Sequence, residues 1–396
     1  MTDAADSNDY PLAGIRVLDL SRVLAGPFAG RVLADLGADV VKIEPPEGDV
    51  SRAWGKRIHG LGGYFTQQNG GKRNVCVDLS TPGGPAVVAD LAAVADVVIE
   101  NFRPGVMARF GLGWAQLQAR NPRLVMLSIS GFGQNGPESQ RAAYAAVIHA
   151  ESGLVARATQ LDGIRMVDQI QSTADVNAGL HGLVALLAAL MLRDRTGRGQ
   201  HIDLAMLDAM VFSDDAATFS VDDIEVIRGG GRVWDVVGGP IMINGEITLN
   251  WKALAVANRL PEPGENATSR EEKRQMRSDA LDAYLLSFSD RSELIAALDR
   301  ANLAWGDVRA PRAVMDSPTM IARRAVTEVD DRGGGVRPVL QSPYRFSDAP
   351  SGMRRGAAYR GEHNTEVLRE WLGAADERIR ELAAEKVLLH QEERRD

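Results

Sequence analysis

The segment QSTADVNAG, residues 171–179, sets one carboxylate, Asp175, directly before the most apolar stretch of the chain, Val176 to Leu192. A carboxylate at the start of a helix can cap it by accepting hydrogen bonds from the first free amides. Held beside glycine-rich loops, the same group can attack a thioester or an acid anhydride. The spacing alone leaves both roles open. Asp168, a little upstream, reads as an ordinary loop acid. Gly229-Gly230-Gly231 and Gly238-Gly239 are the two runs able to bring backbone amides against a developing oxyanion, or else to serve as turns. His149 and Glu151 could move a proton, but a lone histidine on a helix is more often structural. The acidic run from Asp214 to Glu225 lacks the ordered spacing of a calcium loop and reads as solvated linker, so no metal site is expected.

These groups need elements to position them. Ile15–Leu20, Asp39–Glu44, Asn74–Leu79, Asp96–Glu100 and Leu124–Ser130 are short β-branched and leucine-rich runs that suit buried strands. Helical spacing falls between them at Pro27–Leu36, Pro85–Val94 and Trp114–Arg120. Alternating strands and helices predict a parallel sheet covered on both faces, with ligands bound beyond the carboxyl ends of its strands. Arg22, Lys42, Arg52, Lys72, Arg73, Arg103 and Arg109 all fall near those ends. The turn after the first strand, SRVLAGP, lacks the G-x-G-x-x-G of nicotinamide dehydrogenases. The apolar stretch before Leu192, interrupted by Asn177, Gly179, His181 and Gly182, reads as a core helix rather than a bilayer span. Composition changes near Ser213, where a smaller domain is expected, with Asn244-Gly245 as a hairpin turn. The last thirty residues read as amphipathic helix.

With 45% hydrophobic and 25% charged residues, the chain has the makings of a large core and is not a disordered polymer. A net charge of −8, without a basic stripe, argues against nucleic-acid binding. The single cysteine, Cys76, excludes an intrachain disulfide and a thiolate cluster and fits a reducing compartment. The first residues, MTDAADSND, are polar and acidic, unlike a secretory leader, so a cytoplasmic location without a membrane partner is expected.

The whole chain resembles the class III CoA-transferase family, which includes formyl-CoA transferase, carnitine CoA-transferase and, as a divergent branch, α-methylacyl-CoA racemase. The matches run in order through Val17-Leu18-Asp19, Ala25-Gly26-Pro27, Lys42-Ile43-Glu44-Pro45-Pro46, Gln68 to Arg73, Glu100 to Gly105, Ser130 to Gln134, Thr196 to Gln200 and Gly361-Glu362-His363. The resemblance implies an α/β fold: a Rossmann-like large domain with a parallel sheet plus a smaller α+β domain, in an interlocked homodimer. It implies a CoA-binding large domain from 1–212, a small domain over 213–320 and a return segment, 321–396, completing the first. It implies that Asp175 is the nucleophile, because that residue lies at the family's distance before Thr196-Gly197-Arg198-Gly199-Gln200. Acyl-CoA and a carboxylic acid would be the substrates, with no tightly bound cofactor and a covalent aspartyl-CoA thioester between the half-reactions. Gly229 and Gly230 would belong to a glycine loop at the site. Arg22, Val23, Ala25, Lys42, Lys72, Arg73, Asn101, Phe102, Arg103 and Arg109 would bind CoA. The racemase branch carries a His-Asp pair where this chain has Tyr144-Ala145, so racemisation would lack one of its bases.

Overall fold

A computed structural model describes residues 9–162, 166–224 and 231–391. The chain divides into two compact units, Met1–Asp222 with Ala322–Asp396, and Asp223–Ile321.

The first unit is built on a seven-stranded sheet: β1 (Arg16–Asp19), β2 (Asp39–Glu44), β3 (Arg73–Val77), β4 (Val97–Glu100), β5 (Val125–Ser130), β6 (His201–Ala205) and β7 (Leu388–Leu389). Their order is β7-β3-β2-β1-β4-β5-β6, and every pairing is parallel except β7 with β3. The inner strands are buried on both faces, which is why they read as continuous apolar runs rather than alternating ones. Because β2 and β4 flank β1 on opposite sides, the chain reverses its direction of travel between β1 and β4. In open α/β sheets that reversal opens a crevice at the carboxyl ends of the two strands.

Four helices frame this crevice: α1 (Ala25–Asp35), α2 (Ala145–Glu151), α3 (Thr173–Thr196) and α4 (Met206–Phe212). The long helix α3 beds on α1, β5 and β6. Its glycines make the fit possible. A Cβ on Gly179 would lie 2.7 Å from the backbone oxygen of Ala25, and one on Gly182 would lie 2.8 Å from the side chain of Leu127. The helix ends where Gly197 turns left-handed at φ +71 and its N–H returns to the carbonyl of Arg193 at 2.7 Å. Among the described residues α3 is the one helix long and apolar enough to cross a bilayer. Ala178, Leu183, Leu186 and Leu190 nonetheless bury one of its faces in the core, as the sequence predicts for a core helix.

The carboxyl-terminal segment differs from the expected run of helix. Two helices, Asn364–Leu372 and Asp376–Ala384, are followed by β7, a two-residue antiparallel strand too short to leave a periodic signal.

The second unit holds an antiparallel sheet of Arg232–Trp234, Ile241–Ile243 and Trp305–Asp307, packed with the helices Ile247–Asn258, Arg270–Leu286 and Arg291–Arg300 around Trp234, Trp251, Leu281 and Leu298. Asn244-Gly245 is not a hairpin turn. It leads from the central strand into a helix capped by the Glu246 side chain, which accepts the Leu249 N–H at 3.0 Å. Gly238 and Gly239, both left-handed, form a turn whose Val237 and Gly239 carbonyls accept from the Arg291 guanidinium at 2.8 and 2.9 Å.

Candidate active site

Asp175 is the third residue of α3, not its N-cap; Ser172 holds that place and makes no side-chain cap bond. The backbone N–H of Ala25, the first residue of α1, acts on the carboxylate and favours its ionised form, so two helix amino termini converge on it. Burial is the largest influence on the group and pushes it up to about 6. The Ala25 amide and Asp175's own amide oppose that rise. The positive ends of the helices thus hold in ionised form a group that desolvation would protonate.

The carboxylate faces a cavity of about 270 Å³ lined by Arg22, Val23, Ala25, Asn101, Phe102, Arg103, Ser130, Gly131, Ser139, Arg141 and Tyr144, among others. A second cavity of about 530 Å³ lies at the same end of the sheet, against Leu20, Pro45, Glu47, Asp78, Leu79, Ser80, Phe102 and Arg109. Arg22 and Phe102 line both. The Arg22 guanidinium sits over the Phe102 ring at 5.5 Å and 3.7 Å from Glu47, and its buried Nε has no hydrogen-bond partner.

The turn between β1 and α1 is fixed from three sides. The Arg22 N–H donates to Asn101 Oδ1 and Asn101 Nδ2 donates to the Arg22 carbonyl, both at 2.8 Å, tying the loop after β1 to the loop after β4. Val23 takes a left-handed φ of +68, costly for a β-branched residue, with its N–H held by Asp49 Oδ2 at 3.1 Å. Lys42 Nζ lies 3.2 Å from the same Asp49 oxygen and donates to the Ser21 carbonyl at 2.8 Å. Burial would raise Asp49, yet the charge of Lys42 and the hydrogen bonds from Ser51 and Val23 win and hold it at about 2.

Three of the basic residues expected to face phosphate spend their charge inside the fold instead. Lys42 serves Asp49 and Ser21. Lys72 is 2% exposed and donates to Asp19 Oδ2 and the Pro27 carbonyl at 2.8 Å and to Asn69 Oδ1 at 2.9 Å. Burial lowers Lys72 to about 8 even with Asp19 beside it. Arg73 is 4% exposed and is taken up by Asp39, Glu366 and Glu370. The physical reason is shared: their backbones lie in or next to central strands, and a buried cation must meet a carboxylate. Arg22, Val23, Ala25, Asn101, Phe102, Arg103 and Arg109 do line the two cavities.

The chain matches the family model for CoA-transferase family III over residues 12–364. It belongs to CoA-transferase family III. It is 33% identical to succinate–glutarate CoA-transferase of Agrobacterium fabrum, over 93% of this chain and 98% of that one. It is 31% identical to formyl-CoA:oxalate CoA-transferase of Streptomyces avermitilis, over 95% of this chain and 99% of that one. Among solved structures, a CAIB/BAIF family protein from Brucella suis matches with a TM-score of 0.79 and 32% identity, over 92% of this chain and 100% of that one.

Tyr64 packs edge-on against Trp54 and lies within electrostatic reach of Asp175. Burial and then the charges of Asp175 and Asp49 push its phenol up to about 12, and no spacing rule ties it to a helix more than a hundred residues on. His149 and Asp168, read separately, are partners at 2.7 Å, and Glu151 pairs with Arg141. Tyr144 is exposed at the cavity wall and Ala145 begins α2. Asp214 is not merely solvated linker: it pairs with Arg157, and Ala217–Val221 is helical. Among the described residues no group of three His, Cys, Asp or Glu is placed to hold a metal ion. Gly229 and Gly230 lie outside the described residues.

Proposed function

We propose that this CoA-transferase moves CoA between carboxylic acids through a covalent thioester on Asp175. The observation that carries the reading is a carboxylate, seated on two converging helix amino termini, facing a cavity that shares Arg22 and Phe102 with a second, larger one. The larger cavity, with Arg109 and the unpartnered Nε of Arg22, suits the phosphates of CoA. The pantetheine arm then passes Phe102 and Asn101 and delivers the thioester to Asp175.

An Asp175 oxygen attacks the acyl-CoA carbonyl, and the tetrahedral adduct expels CoA as thiolate, leaving an acyl–aspartyl mixed anhydride. The thiolate attacks the aspartyl carbonyl, giving aspartyl-CoA and releasing the first acid, which carries away the bridging aspartyl oxygen. The incoming carboxylate attacks the aspartyl thioester, and the freed thiolate attacks the new acyl carbonyl. Acyl-CoA departs and Asp175 is regenerated bearing an oxygen from the acceptor. Each tetrahedral step builds an oxyanion that backbone amides must meet. Gly229 and Gly230 are the proposed loop for that task.

Arg103 lines the cavity around Asp175, so a second carboxylate on the substrate would meet a guanidinium there. The matched transferases named for succinate, glutarate and oxalate handle such acids. We propose a dicarboxylic acid, as donor or acceptor. The exposed apolar side chains of α3 and α4, among them Val184, Met191 and Phe212, support a homodimer, and a cytoplasmic setting fits a free acid pool. His149 and Glu151 are committed to partners, which leaves the racemase reading without a second base.

The test incubates the protein with succinyl-CoA and follows its intact mass. The wild type gains one CoA, and the gain is reversed by an acceptor acid. Asp175→Ala gains nothing while still binding CoA. A wild type that releases labelled α-hydrogen without an acceptor, and forms no adduct, would point to racemisation and overturn the proposal.

A further inference from the structure

We infer that His149 and Asp168 are positioning residues for the nucleophile, an imidazole–carboxylate pair that caps α3 from a neighbouring helix and so sets where the Asp175 carboxylate sits. The inference rests on the reading of Asp175 above. The first turn of a helix has amides with no partner inside the helix, and here Ser172 at the N-cap supplies no side chain to them. The Ala174 N–H, one residue before the nucleophile, is met instead by His149 Nε2 at 3.2 Å.

That bond fixes the state of the ring. An amide only donates, so Nε2 must present its lone pair, and the ring proton lies on Nδ1. Nδ1 donates it to Asp168 Oδ1 at 2.7 Å. The imidazole is 1% exposed and both nitrogens are engaged, so it does not reach substrate. Gln169 closes the arrangement: its amide nitrogen lies 3.5 Å from His149 Nε2 and donates to the Thr173 hydroxyl. The segment before α3 and the helix α2 therefore grip the turn that carries Asp175. Gly179 lets α3 press against Ala25, whose amide favours the ionised nucleophile. Without the cap the first turn is free to fray, and the carboxylate moves off its amide. Displacements on that scale cost reacting groups roughly a hundred-fold in rate.

The test compares wild type, His149→Phe, His149→Gln, Asp168→Ala and Asp175→Ala in a single turnover with succinyl-CoA. It reads the rate of CoA-adduct formation, the dissociation constant of CoA and the melting temperature. His149→Phe is expected to slow adduct formation by about ten- to a hundred-fold, with CoA binding changed by no more than about two-fold. His149→Gln, whose amide oxygen can still accept the Ala174 N–H, recovers most of the rate. Asp168→Ala, which leaves the ring without its anchor, falls between. His149→Phe or Asp168→Ala at the wild-type rate would overturn the inference, as would His149→Gln no faster than His149→Phe in equally folded protein. Asp175→Ala is the blank that forms no adduct. A wild type that forms none either overturns the reading of Asp175 itself, which separates that failure from a failure of the cap.

Discussion

Replacing Asp175 by Asn should stabilise the protein while abolishing transfer. Burial raises the carboxyl from its ordinary 3.8 to about 6, so the ionised form is disfavoured in the folded chain relative to the unfolded one. At about 1.4 kcal/mol per unit, a rise of about two units means the native state gives up about 3 kcal/mol above about pH 7. The sign follows from the direction of the shift. A raised carboxyl contributes its stability below the unfolded value of 3.8 and loses it as pH rises through about 6. Asparagine keeps an oxygen for the Ala25 N–H and carries no charge to desolvate. The variant should therefore gain up to about 3 kcal/mol at about pH 8 and roughly half that at about pH 5. Urea denaturation of both proteins at the two pH values reads the difference. A variant no more stable than wild type at the higher pH, or a gain that does not shrink on acidification, would show that Asp175 is not held ionised against burial.

The same shift predicts that kcat/KM falls about ten-fold per pH unit below about pH 6, where Asp175 protonates, in a pH–rate profile run with saturating acceptor. Arg22→Gln and Lys72→Met should part company. The first raises the KM for acyl-CoA by roughly ten-fold with little loss of stability. The second costs about 3–5 kcal/mol in chemical denaturation, because Asp19 is left buried without its cation. Arg103→Gln should cut kcat/KM for a dicarboxylic acceptor by about ten-fold and leave a monocarboxylic acid of equal length nearly unchanged, read in an acceptor panel. Gly179→Ala should slow transfer with CoA binding intact, since its methyl would lie 2.7 Å from the Ala25 carbonyl, and crystals of the variant should show the start of α3 displaced.

The inner strands were legible because they are buried on both faces and bounded by turn residues, so Asp39–Glu44 and Val125–Ser130 stand out as apolar runs, whereas half-exposed β6 at the sheet edge and two-residue β7 left no such signal. The distance from Thr196-Gly197-Arg198 singles out Asp175 only through the family resemblance, and its seat was not legible: the helix starts at Thr173, which places the carboxylate within the first turn rather than at the cap. The directions of the basic side chains were not legible. Lys42 and Arg73 sit in adjacent strands, and which way each points depends on Asp49, Asp39 and Glu370, brought there by segments far apart in the chain. His149 and Asp168 stayed separate for the same reason, since their contact depends on how α2 meets the segment before α3. Phe102 and Arg109 reach a cavity because they follow β4 at the reversal of the sheet, where topology alone sets the neighbourhood.

The central claim is that the Asp175 carboxyl is taken apart and rebuilt at every turnover, and one labelling measurement reads it directly. The enzyme turns over succinyl-CoA with an acceptor acid whose carboxylate carries oxygen-18, and the peptide spanning Asp175 is then weighed and fragmented. Heavy oxygen from the acceptor should accumulate on the Asp175 side chain and on no other carboxyl. Turnover that leaves Asp175 unlabelled, or places the label on another residue, would contradict it.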